Sequence, residues 1–345
     1  MAKDSRFTAM VLEKSGGKIT SSVRTVNVSA LPEGDVSVDV KYSSLNYKDG
    51  MVLAGLGRLV RDYPHVPGID FSGVVSASSS PHFEPGDEVI LTGRRVGETH
   101  WGGYATKARV KSDWLVHLPE GLGLKRAMAL GTAGLAAMLA VTALEEHGLS
   151  PDSTDGEDGP APVLVTGAAG GVGSIAVAIL ANLGYRVAAS TGRAEHDYLK
   201  SLGAAEIVER RELAEPPKGP LAGERWAGVI DTVGGRQLAH VLAAVRQRGS
   251  VAAVGLAGGA QTTASLLPFL LRGVNLLGID STTCPRKPRQ RAWNRLAAKM
   301  PKAKLDELSR EIGLERVAEE GTRILQGKIR GRLVVRIEDG GRAFP

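Results

Sequence analysis

Pro162-Val-Leu-Val-Thr-Gly-Ala-Ala-Gly-Gly-Val-Gly-Ser174 is the stretch on which the fold turns. Val163–Thr166 is a short apolar, β-branched run, as a buried strand requires. A glycine-rich turn follows at once. Ser174–Leu183 is then apolar at helical density and stops at Gly184. Strand, glycine turn and helix in that order form the context in which such a string signals dinucleotide binding. Gly170 and Gly173 lack a Cβ, so backbone can approach a pyrophosphate and the helix can pack close to its strand. The first helical N–H groups then face the phosphates, with the helix dipole favouring their charge. Ala168 stands where the first glycine of the fingerprint belongs, and glycine turns also occur in α/β proteins that bind no nucleotide, so the rest of the chain has to decide.

Downstream, strands and helices alternate. Strand candidates are Val163–Thr166, Arg186–Ser190, Glu206–Val208, Gly228–Asp231, Ser250–Val254 and Val274–Gly278; helix candidates are Ser174–Leu183, Glu195–Leu202, Arg236–Val245 and Leu266–Leu271. This is the pattern of an α/β, doubly wound parallel sheet. Ligands of such sheets bind outside the carboxyl ends of the strands. The loops Asp231–Gly235 and Gly255–Gly259 are therefore expected to line the crevice, although glycine there also suits plain turns. Upstream, Phe7–Leu12, Val23–Val28, Val36–Ser43, Phe71–Val75 and Glu88–Leu91 read as short strands of a compact, barrel-like domain. Val36, Val38, Val40 and Tyr42 share one face. Ala127–Gly148 predicts a largely buried helix. Pro151–Pro162 is acidic and rich in Gly and Pro, as a surface loop would be. The tail predicts helices at Ala292–Met300 and Arg316–Leu325 and a last strand at Arg332–Ile337.

Composition narrows the function. The 345 residues are 43% hydrophobic and 23% charged, enough for two globular domains. A net charge of +6 suits polyphosphate ligands, and with only 4% aromatic residues nothing resembles a single-strand nucleic-acid platform, so no nucleic-acid partner is expected. The single cysteine, Cys284, excludes a disulfide framework and a thiolate zinc cluster. The seven histidines are scattered, without ligand spacing, so no metal is expected. No apolar run reaches membrane-spanning length, and no targeting run follows Met1–Arg6; a cytoplasmic protein without a membrane partner is the expectation.

The cofactor is read from the end of the second strand. NAD-selecting enzymes place Asp or Glu there to hold the ribose 2′-OH. Here the chain reads Ser190-Thr191-Gly192-Arg193, with no acid. A hydroxyl, a glycine and a guanidinium suit a 2′-phosphate, which points to NADPH, although an arginine at a helix start is also ordinary surface chemistry.

These residues resemble a family, the medium-chain dehydrogenase/reductase superfamily. Ser44-Leu45-Asn46-Tyr47-Lys48-Asp49 is similar to the quinone-oxidoreductase form of the segment that carries a catalytic zinc cysteine in alcohol dehydrogenases, with Asn46 in its place. Pro67–Val75 resembles the segment where zinc members have Gly-His-Glu, with Ile69 and Asp70 instead. Gly97–Tyr104, Ala108–Leu115, Gly131–Gly134, Asp197–Ala204 and Trp226–Gly234 are similar to the acrylyl-coenzyme A reductase branch. The resemblance covers nearly the whole chain; the acidic loop Pro151–Pro162 is longer than usual. It implies a GroES-like catalytic domain (1–128 and 296–345) around a Rossmann domain (129–295), NADPH-dependent and zinc-free reduction of acrylyl-CoA to propionyl-CoA, and a homodimer. A quinone reductase shares the fold, the cofactor site and the metal-free pocket and is separated only by the branch-specific strings, so a quinone remains the alternative acceptor, and a non-catalytic NADPH-binding protein is the third reading.

The same resemblance implies cofactor contacts at Tyr47, Gly170, Gly171, Val172, Gly173, Thr191, Gly192, Arg193, Leu256, Leu270 and Ser281. Without zinc, a developing enolate needs hydrogen-bond donors and its α-carbon a proton. Backbone N–H groups, a ribose hydroxyl of the cofactor, or side chains such as Asn46 and Tyr47 are the candidates, with Tyr47 at least equally suited to be an aromatic wall for the nicotinamide. Arg286, Lys287, Arg289, Arg291 and Arg295 form a basic stretch that could either meet the phosphates of coenzyme A or lie along a solvated helix face.

Overall fold

The computed structural model describes residues 5–152, 160–215 and 219–338. The acidic loop expected at Pro151–Pro162 thus lies, from 153 to 159, outside the described residues.

The chain opens with strands β1 (Arg6–Ser15), β2 (Lys18–Asn27) and β3 (Val36–Leu45), helix α1 (Tyr47–Leu53), and strands β4 (Asp70–Ser78), β5 (Glu88–Thr92), β6 (Lys107–Val110) and β7 (Leu115–His117). Helix α2 (Leu124–Glu146) leads into the alternating part: β8 (Val163–Val165), α3 (Gly171–Asn182), β9 (Val187–Thr191), α4 (His196–Leu202), β10 (Glu206–Glu209), α5 (Arg210–Ala214), β11 (Trp226–Asp231), α6 (Gly235–Ala243), β12 (Val245–Ala253), α7 (Leu267–Arg272) and β13 (Asn275–Gly278). The tail holds α8 (Arg286–Lys299), α9 (Lys302–Leu308), β14 (Ser309–Gly313), α10 (Val317–Leu325) and β15 (Arg332–Arg336).

Two compact units result: residues 1–132, 281–297 and 305–345, and residues 133–280 with 298–304. Residues 281–295, expected with the nucleotide-binding domain, fall in the first unit, and Arg289 gives the physical reason. It is 1% exposed. Its guanidinium donates to the Thr92 carbonyl at 2.6 Å, the Thr92 hydroxyl at 2.8 Å, and the carbonyls of Ser281, Thr282 and Cys284 at 2.9, 3.2 and 3.3 Å. A buried cation satisfied by five acceptors fixes its segment to the end of β5. Neither expected role of the basic stretch therefore holds at Arg289, which faces the interior.

In the first unit the sheet order is β14-β15-β3-β4-β5-β7, with β6 also on β3. The alternation in β3 holds: Val36, Val38 and Val40 are buried in one core with Phe71, Leu91 and Val335, while Tyr42 is half-buried. Strands β6 and β7, of four and three residues, were too short to show a period.

In the second unit the order is β10-β9-β8-β11-β12-β13, all parallel. This is the expected doubly wound sheet. The chain runs from β8 outward to β10, then returns to the other side of β8 with β11, so the switch point lies at the carboxyl end of β8. Its core gathers Leu164, Ala188, Val229, Val251 and Trp226. Against the expectation that no apolar run reaches membrane-spanning length, helix α2 is long and apolar enough to cross a membrane, but most of that apolar length is buried inside the protein, as in a core helix.

Candidate functional site

In the second unit the glycine turn is built for close approach. Gly167 has φ +60°. A Cβ on Gly173 would lie 2.6 Å from Ala168 Cα and overlap the Gly167 carbonyl oxygen, so only glycine lets α3 sit this near its strand. Gly170 is the extended N-cap residue of α3, and no side chain caps it. The first N–H groups of this 12-residue helix, from Gly171, Val172 and Gly173, are left for a ligand. Behind the turn, Tyr198 Oη donates to Ser174 Oγ at 2.9 Å, and Ser174 Oγ donates to the Ala168 carbonyl at 3.1 Å. Helix α4 thereby holds the turn in shape.

The turn also meets the end of β9. Ala168 N–H donates to the Ser190 carbonyl at 3.0 Å, and Arg193 N–H to Thr191 Oγ1 at 3.1 Å. Gly170–Gly173 and Thr191, Gly192 and Arg193 are thus brought to one end of the sheet, and no carboxylate occupies the end of β9. On the other side of β8, Thr166 Oγ1 donates to Asp231 Oδ1 at 2.5 Å, while Val233 and Gly234 donate backbone N–H groups to the same carboxyl. Burial raises Asp231 above the usual carboxylate range, against these hydrogen bonds. Leu256 follows β12 beside Gly234, and Leu270 lies on α7 with 73% of its surface exposed.

The first unit carries a buried polar cluster that composition did not announce. Asp70 Oδ2 accepts from Thr132 N–H at 2.8 Å and from Asn46 Nδ2 at 3.2 Å, and Asp70 Oδ1 accepts from Ser44 Oγ at 2.8 Å. Arg332, buried, donates to Ser44 Oγ at 2.7 Å, Asn46 Oδ1 at 3.1 Å and the Ala129 carbonyl at 2.9 Å. Asp49 Oδ2 accepts from Asn46 N–H and Oδ1 from Ile69 N–H, both at 2.9 Å. Burial first, and the Asp70 charge second, push the Asp49 carboxyl up to about 7. Burial also lowers the Arg332 guanidinium, opposed by Asp70 and Asp49.

This cluster explains a break in α2. Gly131 leaves helical geometry at φ 52°, ψ −152°. The break turns the next N–H, that of Thr132, onto Asp70. A Cβ at 131 would lie 2.6 Å from Asp70 Oδ2 and 2.8 Å from Arg332 Nη2. The expected helix over Ala127–Gly148 is therefore two helical runs joined at a glycine.

Asn46 and Tyr47 sit together at the start of α1. The Asn46 amide is fully engaged by Ser44, Asp49, Asp70 and Arg332. Tyr47 is 45% exposed, and its hydroxyl has no hydrogen-bond partner among the described residues. Ser281 is half-buried in this unit, its carbonyl taken by Arg289. Sequence reading missed Asp49, Arg332 and Tyr104, whose buried hydroxyl donates to the Ser44 carbonyl at 3.1 Å, as members of a cluster. An aspartate two residues after Tyr47 and an arginine opening an apolar strand were the available signals.

Residues 171–298 match the family described as zinc-binding dehydrogenase, and residues 32–120 the alcohol dehydrogenase GroES-like domain. Among the described residues no group of three or more His, Cys, Asp or Glu could hold a metal ion. Acrylyl-CoA reductase AcuI of Ruegeria pomeroyi is 56% identical over 95% of this chain and 98% of its own. The yhdH oxidoreductase from Salmonella enterica, solved in complex with NADP, superimposes with a TM-score of 0.92 at 49% identity, covering 96% of this chain and 100% of that one. Bacillus subtilis protein yhfP, solved with NAD bound, gives 0.91 at 44% identity, covering 97% and 100%. Fold, glycine turn and likeness over nearly full length agree: the chain belongs to the quinone-oxidoreductase-like group of the medium-chain dehydrogenase/reductase superfamily.

Proposed function

We propose that this protein reduces the carbon–carbon double bond of acrylyl-CoA to give propionyl-CoA, with NADPH as reductant. The observation that carries the reading is the 56% identity, over almost the whole of both chains, with a protein named acrylyl-CoA reductase. The residues at the ends of β8 and β9 fit the cofactor: a glycine turn that a Cβ would fill, an uncapped helix start, and a guanidinium where NAD-selecting sites carry an acid.

Bound NADPH supplies the hydride that adds to the β-carbon of the enoyl thioester. Gly170, Gly171, Val172 and Gly173 offer backbone N–H groups to the pyrophosphate. Thr191, Gly192 and Arg193 take the 2′-phosphate. Leu256, Leu270 and Ser281 complete the cofactor contacts. Hydride addition leaves charge on the thioester oxygen and requires a proton at the α-carbon. The free, exposed hydroxyl of Tyr47 gives that proton. Asn46, its amide already engaged, acts by fixing the start of α1 and hence the place of Tyr47. No step calls on a metal.

The expected homodimer is supported by the open edge of β13, where Leu276 is exposed, as are Leu266 and Leu271 of the preceding segment. Unpaired edge strands with apolar side chains invite a second copy. A cytoplasmic location and acyl-CoA as the small-molecule partner belong to the same reading. The test is NADPH oxidation by the purified protein with acrylyl-CoA and, separately, with a small quinone. A kcat/KM higher for acrylyl-CoA is expected; a preference for the quinone would reverse the assignment.

A further inference from the structure

Asp231 closes strand β11 with no exposed surface, and no cation pairs with its carboxylate among the described residues. Burying such a group is costly unless hydrogen bonds replace the lost water. Three such bonds are present. Oδ1 accepts from Thr166 Oγ1 at 2.5 Å and from Val233 N–H at 3.3 Å, and Oδ2 accepts from Gly234 N–H at 2.9 Å. Two of these donors lie in the loop that leaves the strand. The third follows directly on β8.

The loop is braced from both sides. Thr232 N–H donates to Thr166 Oγ1 at 3.0 Å, and Thr232 Oγ1 to the Thr166 carbonyl at 2.8 Å. The Asp231 carbonyl accepts from Val254 N–H at 2.8 Å and Gly255 N–H at 3.2 Å, and the Val233 carbonyl from Gly258 N–H at 2.7 Å. Loop Asp231–Gly235 is thus tied back to β8 and sideways to loop Gly255–Gly259. Gly234 has φ 65° and ψ −149°, and a Cβ on it would lie 2.9 Å from the Gly259 carbonyl oxygen and 3.4 Å from Leu256 Cα. Glycine is needed there, and glycine brings backbone freedom that something else must remove. The Asp231 carboxylate does so at the Gly234 N–H itself.

Each half of a doubly wound sheet takes one mononucleotide. The glycine turn and Thr191–Arg193 serve the half built on β8 and β9. The half built on β11 and β12 is left for the nicotinamide nucleotide, and its rim is the pair of loops tied to Asp231. We propose that Asp231 is a positioning residue for the nicotinamide half of NADPH. Fully buried, it does not touch the cofactor; its carboxylate fixes the Val233–Gly234 backbone, and through it Leu256, in the binding conformation. This role rests on the reading of the crevice as an NADPH site.

The test is calorimetric titration of the full-length protein and two variants with NADPH and with adenosine 2′,5′-bisphosphate, the adenine end alone. Asp231→Asn keeps the shape but puts an N–H₂ group where an oxygen accepted; whichever way the amide turns, Val233 or Gly234 N–H faces a donor. Thr166→Val removes the hydroxyl that anchors the carboxylate to the end of β8. Each variant is expected to bind NADPH roughly tenfold more weakly, the effect of one charge-assisted hydrogen bond, with bisphosphate affinity unchanged. Merely loosened folding would weaken both ligands alike. Unchanged NADPH affinity in either folded variant, or an equal loss for both ligands, overturns the proposal. Should Asp231→Asn fail to fold, Thr166→Val decides by the same outcomes. If the unaltered protein binds neither ligand, the NADPH reading falls and the proposal with it; if it binds both and the variants match it, only the role of Asp231 falls.

Discussion

Arg332, at the start of the last strand, donates to Asn46 Oδ1 at 3.1 Å, so the end of the chain holds the residue that precedes Tyr47. The same guanidinium reaches Ser44 Oγ and the Ala129 carbonyl. One side chain thus ties together β3, the first run of α2 and β15. Around it two carboxylates, Asp49 and Asp70, are fully buried. Removing one member of a buried ionic cluster is far costlier than the cluster's net worth, because the rest stays desolvated.

Arg332→Met should therefore destabilise the protein by on the order of 3–5 kcal/mol. Urea unfolding of the variant checks this. A loss below about 1 kcal/mol would mean that water or rearrangement replaces the cation.

The Asp49 carboxyl gives the cluster a pH signature. Its ordinary value of 3.8 is raised to about 7 in the folded protein. Between these values the folded state holds a proton that the unfolded state has released. The stabilisation is complete below pH 3.8 and is lost as pH rises through about 7. Unfolding free energy should therefore decline across this window, by on the order of 1 kcal/mol per pH unit. Asp49→Asn, which cannot titrate, should lack this decline. Parallel slopes in both proteins from pH 5 to pH 7.5, measured by urea unfolding, would deny Asp49 this role.

Gly173→Ala should cost about 1–3 kcal/mol, the range for forcing a methyl into filled space. It should also weaken NADPH binding, because the Gly167–Ala168 backbone must move away from the helix. Thermal unfolding and nucleotide titration read the two effects. A variant that binds NADPH as tightly as the original protein would show that the turn tolerates the methyl group.

The architecture was legible because it is written in long, regular signals. Six strand candidates separated by helices gave the parallel sheet, and the Gly170–Gly173 string marked its switch point. The buried cluster was not legible, since its members are scattered from Ser44 to Arg332 and meet only through β-sheet pairing across the domain. Arg289 misled for a related reason. Within Arg286–Arg295 every residue type suggests solvent, and only tertiary structure shows that this one turns inward to the Thr92 carbonyl. Short elements such as α5 and β7 fell below the length at which periodicity can be read.

Tyr47→Phe separates proton donor from aromatic wall. A positioned general acid contributes about 10²–10⁴-fold, so kcat for acrylyl-CoA reduction should drop by at least about 10² with KM for NADPH little changed. Full turnover by the variant would leave the ring, and not the hydroxyl, as the functional part of Tyr47.

The central claim is hydride transfer from NADPH to the β-carbon of acrylyl-CoA. Mass spectrometry and NMR of the product formed from NADPH carrying deuterium at the transferred C4 position test it directly. Propionyl-CoA with one deuterium at C3 and none at C2 is the expected product. Label at C2, or NADPH consumed without formation of propionyl-CoA, would contradict it.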